Sequence, residues 1–225
     1  MDVLNLLKII RIILGIGLLC FFLFFFVIIR IIRKIHQFPI PSFLTVLIDN
    51  PFRRKLLQQP KKIAERLNLR PGMKVVEIGP GKGNYTIVVA EQVKPGGMVY
   101  AIDISEDIIT RLKERVREEN IEYINPQIDD VYELSFEDKS IDRVLAIACL
   151  PELPDQVKAL QECKRILKPD GIISLAEIIL DPDYPFRKTE KRWAREAGLQ
   201  LKEEFGNWFV YQFNFKKPDD SVENP

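Results

Sequence analysis

The segment VVEIGPGKGNYT, residues 75–86, constrains the fold more than any other part of the chain. An apolar run ends in Glu77, and three glycines follow at alternate positions, Gly79, Gly81 and Gly83. An apolar run of this kind is typical of a strand buried on both faces, and glycines let the following backbone come close to a ligand. The pattern therefore predicts a strand, a ligand-binding loop and a helix in direct succession.

Strand-like and helix-like segments alternate from residue 61 to residue 197. Strands are predicted at 73–79, 96–103, 121–125, 141–150 and 171–179. Helices are predicted at 61–69, 84–92, 105–119, 155–167 and 186–197. Two more strands, at 199–205 and 208–216, then succeed each other without a helix between them. This order predicts an α/β fold, a Rossmann-like doubly wound sheet of seven strands that ends in an antiparallel hairpin. Ligands of such sheets bind beyond the carboxyl ends of the strands.

The N-terminal region has a different character. Residues 12–29 are 18 consecutive residues without a charge, rich in Leu, Ile and Phe, and basic residues flank them on both sides. This length is about the minimum for a helix that crosses a hydrocarbon core. A helix of a soluble protein would show a polar face, which this run lacks. The sequence therefore predicts a single-pass transmembrane anchor within residues 1–36, and the distribution of basic residues favours a cytoplasmic C-terminal domain.

The remaining boundaries coincide with changes in composition. Residues 37–60 are apolar but interrupted by prolines, residues 61–216 hold the alternating pattern, and residues 217–225 form a polar tail that we expect to be disordered. Residues 37–60 are either a plain linker that packs on the domain or an interfacial segment that covers a substrate entrance.

Composition argues against several classes of function. Basic and acidic residues number 33 and 32, so a nucleic-acid-binding surface is not indicated. The single histidine, His36, precedes the domain, which leaves the domain without an imidazole for catalysis or metal binding. Cys20, Cys149 and Cys163 show neither disulfide nor zinc-ligand spacing. The sequence therefore predicts no metal site.

Two kinds of ligand compete for the glycine loop. The dinucleotide fingerprint G-x-G-x-x-G requires a third glycine where Asn84 stands, so that interpretation fails at one position. Glu77, by contrast, can face a positively charged group, and Asp103 ends the next strand, where a carboxylate suits two ribose hydroxyls. The loop together with both acids favours a ligand that carries a cationic group and a ribose.

Residues 61–216 resemble a class I S-adenosylmethionine-dependent methyltransferase of the small-molecule and quinone-biosynthesis branch. The segments VVEIGPGKGNYT and VYAIDIS are similar to the first two motifs of that family. ECKRILKPDGIISLAE is similar to the turn and strand five, although Asp170 replaces the first glycine of the family's K-P-G-G turn. The resemblance implies S-adenosylmethionine as cofactor.

The resemblance also implies which residues contact that cofactor. In IDDVYELSFEDKSIDRVL, Asp130 and Val131 fall where the family contacts the adenine amino edge, with Asp129 as the alternative one residue earlier. Ile104 falls against the adenine ring. The complete predicted set is Glu77, Gly79, Gly81, Gly83, Tyr85, Asp103, Ile104, Asp130, Val131 and Ala146.

The sequence does not single out a catalytic residue. Methyl transfer from a sulfonium is a direct displacement, and a base is needed only when the acceptor must lose a proton early. Weak candidates near the expected pocket mouth are Tyr85, Tyr132, Glu152, Glu177, Asp181 and Tyr184.

The segment after strand four narrows the class of acceptor. ACLPEL stands there instead of the N-P-P-Y segment found in enzymes that methylate amino groups of bases or glutamine. Together with the apolar N-terminus, this favours a hydrophobic or lipid-like small molecule that lives in or near a bilayer. Methylation of a membrane-associated protein and a non-catalytic cofactor-binding module stay open as alternatives. The sequence leaves the oligomeric state undetermined.

Overall fold

The computed structural model describes residues 3–35, 53–179, 181 and 183–218. The chain divides into two compact units, residues 1–41 and 42–225. His36, most of the predicted linker or lid up to residue 52, and the predicted tail from residue 219 onward lie outside the described residues.

The first unit is described as one long helix, α1 (Val3–Ile35). Many of its large apolar side chains are exposed, among them Leu14 at 67% and Phe24 at 65%. Among the residues that the structure describes, no helix has both the length and the apolar character needed to cross a membrane. The transmembrane helix predicted from residues 12–29 is therefore not supported by the structure.

The second unit is an α/β domain. Its helices are α2 (Pro60–Glu65), α3 (Asn84–Val93), α4 (Glu106–Glu118), α5 (Gln156–Ile166) and α6 (Arg187–Glu196). A π-helical turn, Arg53–Leu57, precedes α2, and a 3₁₀ turn, Leu150–Glu152, precedes α5. The strands are β1 (Lys74–Ile78), β2 (Met98–Asp103), β3 (Ile124–Ile128), β4 (Ile141–Ile147), β5 (Leu167–Ile178), β6 (Gln200–Gly206) and β7 (Val210–Lys216).

The strands form one seven-stranded sheet in the order β3-β2-β1-β4-β5-β7-β6. Strands β1 to β5 are parallel, whereas β7 runs antiparallel to both β5 and β6. This confirms the predicted Rossmann-like sheet of seven strands with a C-terminal hairpin. The strand order reverses between β1 and β4, so the ligand-binding crevice is expected at the carboxyl ends of these two strands.

Helices cover the sheet on both faces. Val75 and Leu145 belong to one apolar core, while their neighbours Val76 and Val144 belong to the other, because successive side chains of a strand point to opposite faces. All four residues are fully buried, which explains why β1 and β4 are nearly continuous apolar runs in the sequence.

Strand β3 begins later than predicted. The sequence favoured a strand at 121–125, whereas β3 spans Ile124–Ile128. The reason is the end of α4: Asn120 adopts a positive φ of 51°, and the Ile121 N–H donates to the Val116 carbonyl at 2.9 Å. These two features close the helix, so residues 121–123 connect α4 to β3 instead of starting the strand.

A buried arginine attaches the segment after α2 to the sheet. Arg143, at the start of β4, is 7% exposed. Its guanidinium donates to the Leu67 carbonyl at 2.7 Å and to the Asn68 carbonyl at 3.3 Å. It also donates to the Asp142 carbonyl at 2.7 Å. Three backbone acceptors thus depend on one side chain.

We expect Arg143→Met to lower the free energy of unfolding by about 2 kcal/mol, because buried carbonyls lose a charged donor. Urea denaturation of the full chain measures this loss. The matched control is Arg111→Met, whose side chain is 76% exposed and pairs along α4 with Asp107, so its effect should be close to zero. Equal losses in both variants would contradict the assignment.

Candidate active site

The glycine loop joins β1 to α3 at the switch point of the sheet. Gly79, Gly81 and Gly83 have φ angles of 67°, 53° and 76°, a conformation that favours glycine. A Cβ atom on Gly79 would lie 2.6 Å from Cys149 Sγ, and one on Gly83 would lie 2.5 Å from Leu112 Cδ1. A Cβ on Gly81 would meet nothing within 4 Å. Two glycines therefore allow close packing, and the one between them borders open space.

A side chain from α4 holds this loop in place. Arg115 Nη1 donates to the Lys82 carbonyl at 2.5 Å and to Asn84 Oδ1 at 3.1 Å. Asn84 occupies the position at which the dinucleotide fingerprint requires a glycine. In the structure its side-chain oxygen accepts a hydrogen bond from Arg115. Sequence analysis missed Arg115, because nothing in the charged pattern of α4 distinguishes it from its basic neighbours.

Glu77 is an unusual buried acid. It is 2% exposed, and its Oε2 atom has no hydrogen-bond partner among the described residues. Burial raises the pKa of this carboxyl group to about 7, and the nearby Thr86 hydroxyl lowers that pKa in part. The Thr86 hydroxyl itself makes no hydrogen bond of good geometry with a described residue. A buried carboxylate oxygen without a donor is suited to a cationic group of a ligand.

The ends of β2 and β3 present one acid and two apolar side chains. Asp103 ends β2, is half-buried, and accepts the Ser105 N–H at 2.9 Å through Oδ1. Burial raises the pKa of its carboxyl group. Ile104 is 74% exposed, and Ile128, which pairs in register with Asp103, is 53% exposed. These exposed apolar side chains can cover the face of a flat ring. Sequence analysis missed Ile128 because it ended the third strand too early.

The three residues that are candidates for contact with the adenine edge have different surroundings in the structure. Asp129 accepts hydrogen bonds from the Ser135 hydroxyl and N–H, both at 3.1 Å, so its carboxylate is engaged in the turn after β3. Asp130 is exposed, and its Oδ1 accepts the Tyr132 N–H at 2.9 Å. Val131 is buried in the hydrophobic core, at 8% exposure. Of the three side chains, that of Asp130 is the one most accessible to a ligand.

Two further predicted residues lie within the packing of the domain. Tyr85 is 9% exposed, and its hydroxyl donates to the Gln58 carbonyl at 3.1 Å. Ala146 lies inside β4 at 1% exposure. Both side chains are buried in packing contacts of the domain, and their contact with a cofactor stays a prediction. The structure does bring Glu77, the glycine loop and the end of β2 together at one edge of the sheet.

Acidic groups gather beside the cofactor residues, at the ends of β4 and β5. Glu177 is fully buried, and burial with the charges of Glu190 and Asp181 raises its pKa well above the usual range, while Arg53 lowers it. Burial raises the pKa of Glu190 to about 8. Glu152, which follows β4, also acts electrostatically on Glu177. Three of the weak catalytic candidates, Glu152, Glu177 and Asp181, therefore belong to one cluster.

The other candidates are engaged elsewhere. The Tyr132 hydroxyl accepts the Asp155 N–H at 2.9 Å. The Tyr184 hydroxyl donates to the Trp208 carbonyl. Burial raises the pKa of the Cys149 thiol well above its usual value, and the surrounding carboxylates raise it further. That thiol stays protonated at neutral pH and is a poor nucleophile.

Comparison with known proteins agrees with this geometry. A family model described as a methyltransferase domain matches residues 69–212, which contain the glycine loop, Asp103 and the acidic cluster. The chain belongs to this methyltransferase family. Its domain is an S-adenosylmethionine-dependent methyltransferase domain with the predicted seven-stranded fold.

One curated relative of this methyltransferase is a demethylmenaquinone methyltransferase from Staphylococcus aureus (strain JH9). It is 35% identical over 118 residues, which are 52% of this chain and 48% of the relative. The matched region thus spans about half the length of the relative.

Solved structures share the fold. An S-adenosylmethionine-dependent methyltransferase from Aquifex aeolicus superposes with a TM-score of 0.71 at 20% identity, over 79% of this chain and 98% of that one. The [4+2]-cyclase SpnF superposes with a TM-score of 0.63 at 17% identity, over 72% of this chain and 81% of that one. At these identities the superpositions show the fold alone.

The residues of this methyltransferase fit S-adenosylmethionine. The unpartnered Oε2 of Glu77 suits the ammonium group of the methionine part, and Asp103 suits the ribose hydroxyls. The glycine loop supplies backbone without side-chain bulk beside Gly81. Ile104 and Ile128 offer the apolar surface that an adenine ring requires.

We expect Glu77→Gln to weaken cofactor binding while stabilising the cofactor-free protein at pH 8. The Glu77 pKa is about 7 in the folded chain and 4.5 in the reference state, so this residue makes stability fall as pH rises from 4.5 through 7. Removing the charge should therefore raise the free energy of unfolding at pH 8 by up to about 3 kcal/mol, and change it little at pH 4.5.

Cofactor affinity should show the opposite dependence. In the native protein it should fall as pH drops below 7, because the Glu77 carboxylate becomes protonated. In Glu77→Gln it should be at least about tenfold weaker at pH 8 and nearly flat with pH. Isothermal titration calorimetry with S-adenosylmethionine at pH 6 and pH 8 measures both. The same pH dependence in both proteins would rule out this role for Glu77.

Proposed function

We propose that this protein transfers the methyl group of S-adenosylmethionine to a hydrophobic, lipid-like small molecule of the isoprenoid-quinone type, and that it works at a membrane. The observation that carries the acceptor class is the 35% identity, over 118 residues, with a protein named demethylmenaquinone methyltransferase. The methyltransferase domain itself rests on the family match over residues 69–212.

The chain contributes binding and alignment. S-adenosylmethionine supplies a methyl group on a positively charged sulfur, which is electrophilic without further activation. Glu77 and the glycine loop hold the methionine end, and Asp103 holds the ribose, so the reacting end is fixed relative to the sheet. An acceptor that must lose a proton would meet the exposed carboxyl group of Glu152, in the 3₁₀ turn after β4.

Membrane attachment is supported by exposed apolar surface within the first unit. The described side chains of α1 are exposed over three successive turns, with Ile12 at 59%, Ile16 at 56%, Leu19 at 60% and Leu23 at 57%. Water-exposed apolar surface of this extent is unfavourable unless lipid or protein covers it. We propose that lipid covers α1, that Arg30 and Arg33 near its C-terminal end favour anionic headgroups, and that the domain lies on the cytoplasmic side.

The domain carries an exposed aromatic group of its own. Trp208 and Phe209, in the turn between β6 and β7, stack with ring centroids 3.7 Å apart and are 61% and 46% exposed. Phe186, just before α6, is 73% exposed. Aromatic side chains with this exposure are favourable at the boundary between water and lipid. They support an acceptor that is drawn from a bilayer.

We expect the full-length protein to label a lipid fraction. It is incubated with methyl-labelled S-adenosylmethionine and bacterial membrane lipid that contains demethylmenaquinone, and the products are separated by organic extraction. The control is Asp103→Asn, which keeps an acceptor for the Ser105 N–H but loses the ribose-binding charge. Label in the lipid fraction should fall at least about tenfold in this variant. Label found only in protein would favour the membrane-protein alternative, and cofactor binding without any label would favour a non-catalytic module.

We expect α1 to carry membrane binding. In a flotation assay with vesicles of phosphatidylcholine and phosphatidylglycerol, the native chain should float with the lipid, whereas the double variant Leu14→Asp, Leu18→Asp should remain in the dense fraction. Charges on the apolar helix are unfavourable in lipid by several kcal/mol. The matched control, Asn5→Asp, places one acid at an exposed polar position of the same helix and should still float. Flotation of the double variant would contradict attachment through α1.

A further inference from the structure

A cavity of about 160 Å³ lies between the segment around α2 and the turn that joins β6 to β7. Its lining residues fall within two stretches of the domain, 56–66 and 206–212. Since β5 and β7 are antiparallel and pair Ile178 with Val210, the start of β7 lies at the carboxyl end of β5. The cavity therefore lies toward the same end of the sheet as the predicted cofactor residues, although none of those residues lines it.

The lining carries positive charge without negative charge. Lys62 and Arg66, one helical turn apart, both belong to it, and no Asp or Glu does. Neither cation forms an ion pair with a described residue. Burial lowers the pKa of the Arg66 guanidinium, and the charge of Glu65, beside it in the chain, raises that pKa. Two cations without a carboxylate in the same cavity favour an anionic ligand.

Contacts with the hairpin hold the Arg66 side chain beside the cavity. Its Nη1 donates to Gln212 Oε1 at 3.4 Å, and its guanidinium lies 4.9 Å from the centre of the Phe205 ring. The side chain makes no other hydrogen bond with a described residue, so most of its N–H donors stay available to a ligand. A guanidinium that is held in one orientation by an aromatic ring is well suited to bind phosphate.

A buried amide gives a second, independent indication of a ligand. Gln58 lines the cavity and is 2% exposed. Its Oε1 accepts the Arg53 Nε–H at 2.7 Å, which identifies the other side-chain atom as the amide nitrogen. That nitrogen, Nε2, has no hydrogen-bond partner among the described residues. A buried amide donor is unfavourable without an acceptor, and an anion in the cavity would supply one.

Exposed apolar side chains adjoin this cationic cavity. Leu56 and Leu57 line it and are 57% and 38% exposed. Trp208 and Phe209 stand between two lining residues of the turn that joins β6 to β7. We call Leu56, Leu57, Trp208 and Phe209 the apolar rim. A cationic cavity with such a rim suits an amphiphilic ligand, whose charged group enters the cavity while its apolar part meets the rim.

We propose that the cavity binds the phosphate group of an anionic membrane lipid, with Gln58, Lys62 and Arg66 as donors and the apolar rim against the lipid tails. Size supports a headgroup, since pockets that enclose a whole small molecule usually exceed about 300 Å³. Each donor would form a charge-assisted hydrogen bond with a phosphate oxygen. The site goes beyond the proposed function, because it would bind lipid whichever acceptor is methylated.

Titration of the full-length protein with phosphatidylglycerol in maltoside micelles tests the site. Tryptophan emission is the readout, because Trp208 belongs to the apolar rim. We expect a saturable change with phosphatidylglycerol, and a much smaller one with phosphatidylcholine or with millimolar inorganic phosphate. Lys62→Gln and Arg66→Gln should each raise the half-saturating lipid concentration about tenfold, because each loses a charged donor.

The matched control is Lys61→Gln, which removes the same charge from an exposed position of α2 that does not line the cavity. It should leave the titration unchanged, and an equal loss in Lys61→Gln and Lys62→Gln would overturn the site. Lys62 is exposed, so its variant stays informative if Arg66→Gln fails to fold.

Three further results would overturn the proposal. They are native half-saturation in Lys62→Gln, an equal response to phosphatidylcholine, and an equal response to inorganic phosphate, which would show a site for free phosphate instead of lipid. The proposed function is tested separately by labelling of the lipid fraction. Labelling without phosphatidylglycerol binding would overturn this site alone, and phosphatidylglycerol binding without labelling would overturn the proposed function alone.

Discussion

The close approach of the glycine loop to its neighbours is the constraint on which the rest of the site depends. Gly79 leaves no room for a side chain beside Cys149, and Gly83 leaves none beside Leu112. The Gly79 N–H also donates to the Ile102 carbonyl at 3.0 Å. The loop is thereby attached to the end of β4, to α4 and to β2 at once. These attachments set the positions of Glu77 and Asp103 relative to each other, and so the distance between the two acids that are predicted to hold the cofactor.

Much of the fold could be predicted because its signal is local. Apolar runs and glycine or proline breaks identify strands one at a time, and the alternation of strands and helices then leaves few possible topologies. Glu77 and Asp103 were predicted as site residues for the same reason, since each is the acid at the end of an apolar run. Ile128 was missed because the position of β3 depends on how α4 closes at Asn120, which is a property of backbone conformation.

The acidic cluster that contains Glu152, Glu177 and Asp181 illustrates the opposite case. Glu152 and Asp181 lie on different connections of the sheet, and only the pairing of β4 with β5 brings them together. No short motif contains both residues. Such a cluster is difficult to recognise in sequence, because acidic residues are common on every surface and their convergence is a tertiary property.

Several acidic side chains are buried in this domain, although burial is unfavourable for their charged forms. Glu77, Glu177 and Glu190 are buried at the ligand-binding end of the sheet, and burial raises the pKa of each. Such groups destabilise the protein when they ionise, and a ligand that compensates their charge would reverse this effect. Part of the free energy of ligand binding would therefore come from relief of this unfavourable burial. At Arg143, in contrast, the buried charge is matched to backbone acceptors and serves the fold alone.

The hydrogen bond between Tyr85 and the Gln58 carbonyl connects the first turn of α3 with the segment that precedes α2. Tyr85 lies two residues after the last glycine of the loop, so this hydrogen bond attaches residue 58 close to that loop. A change in the packing of the segment before α2 can therefore be expected to alter the position of the glycine loop.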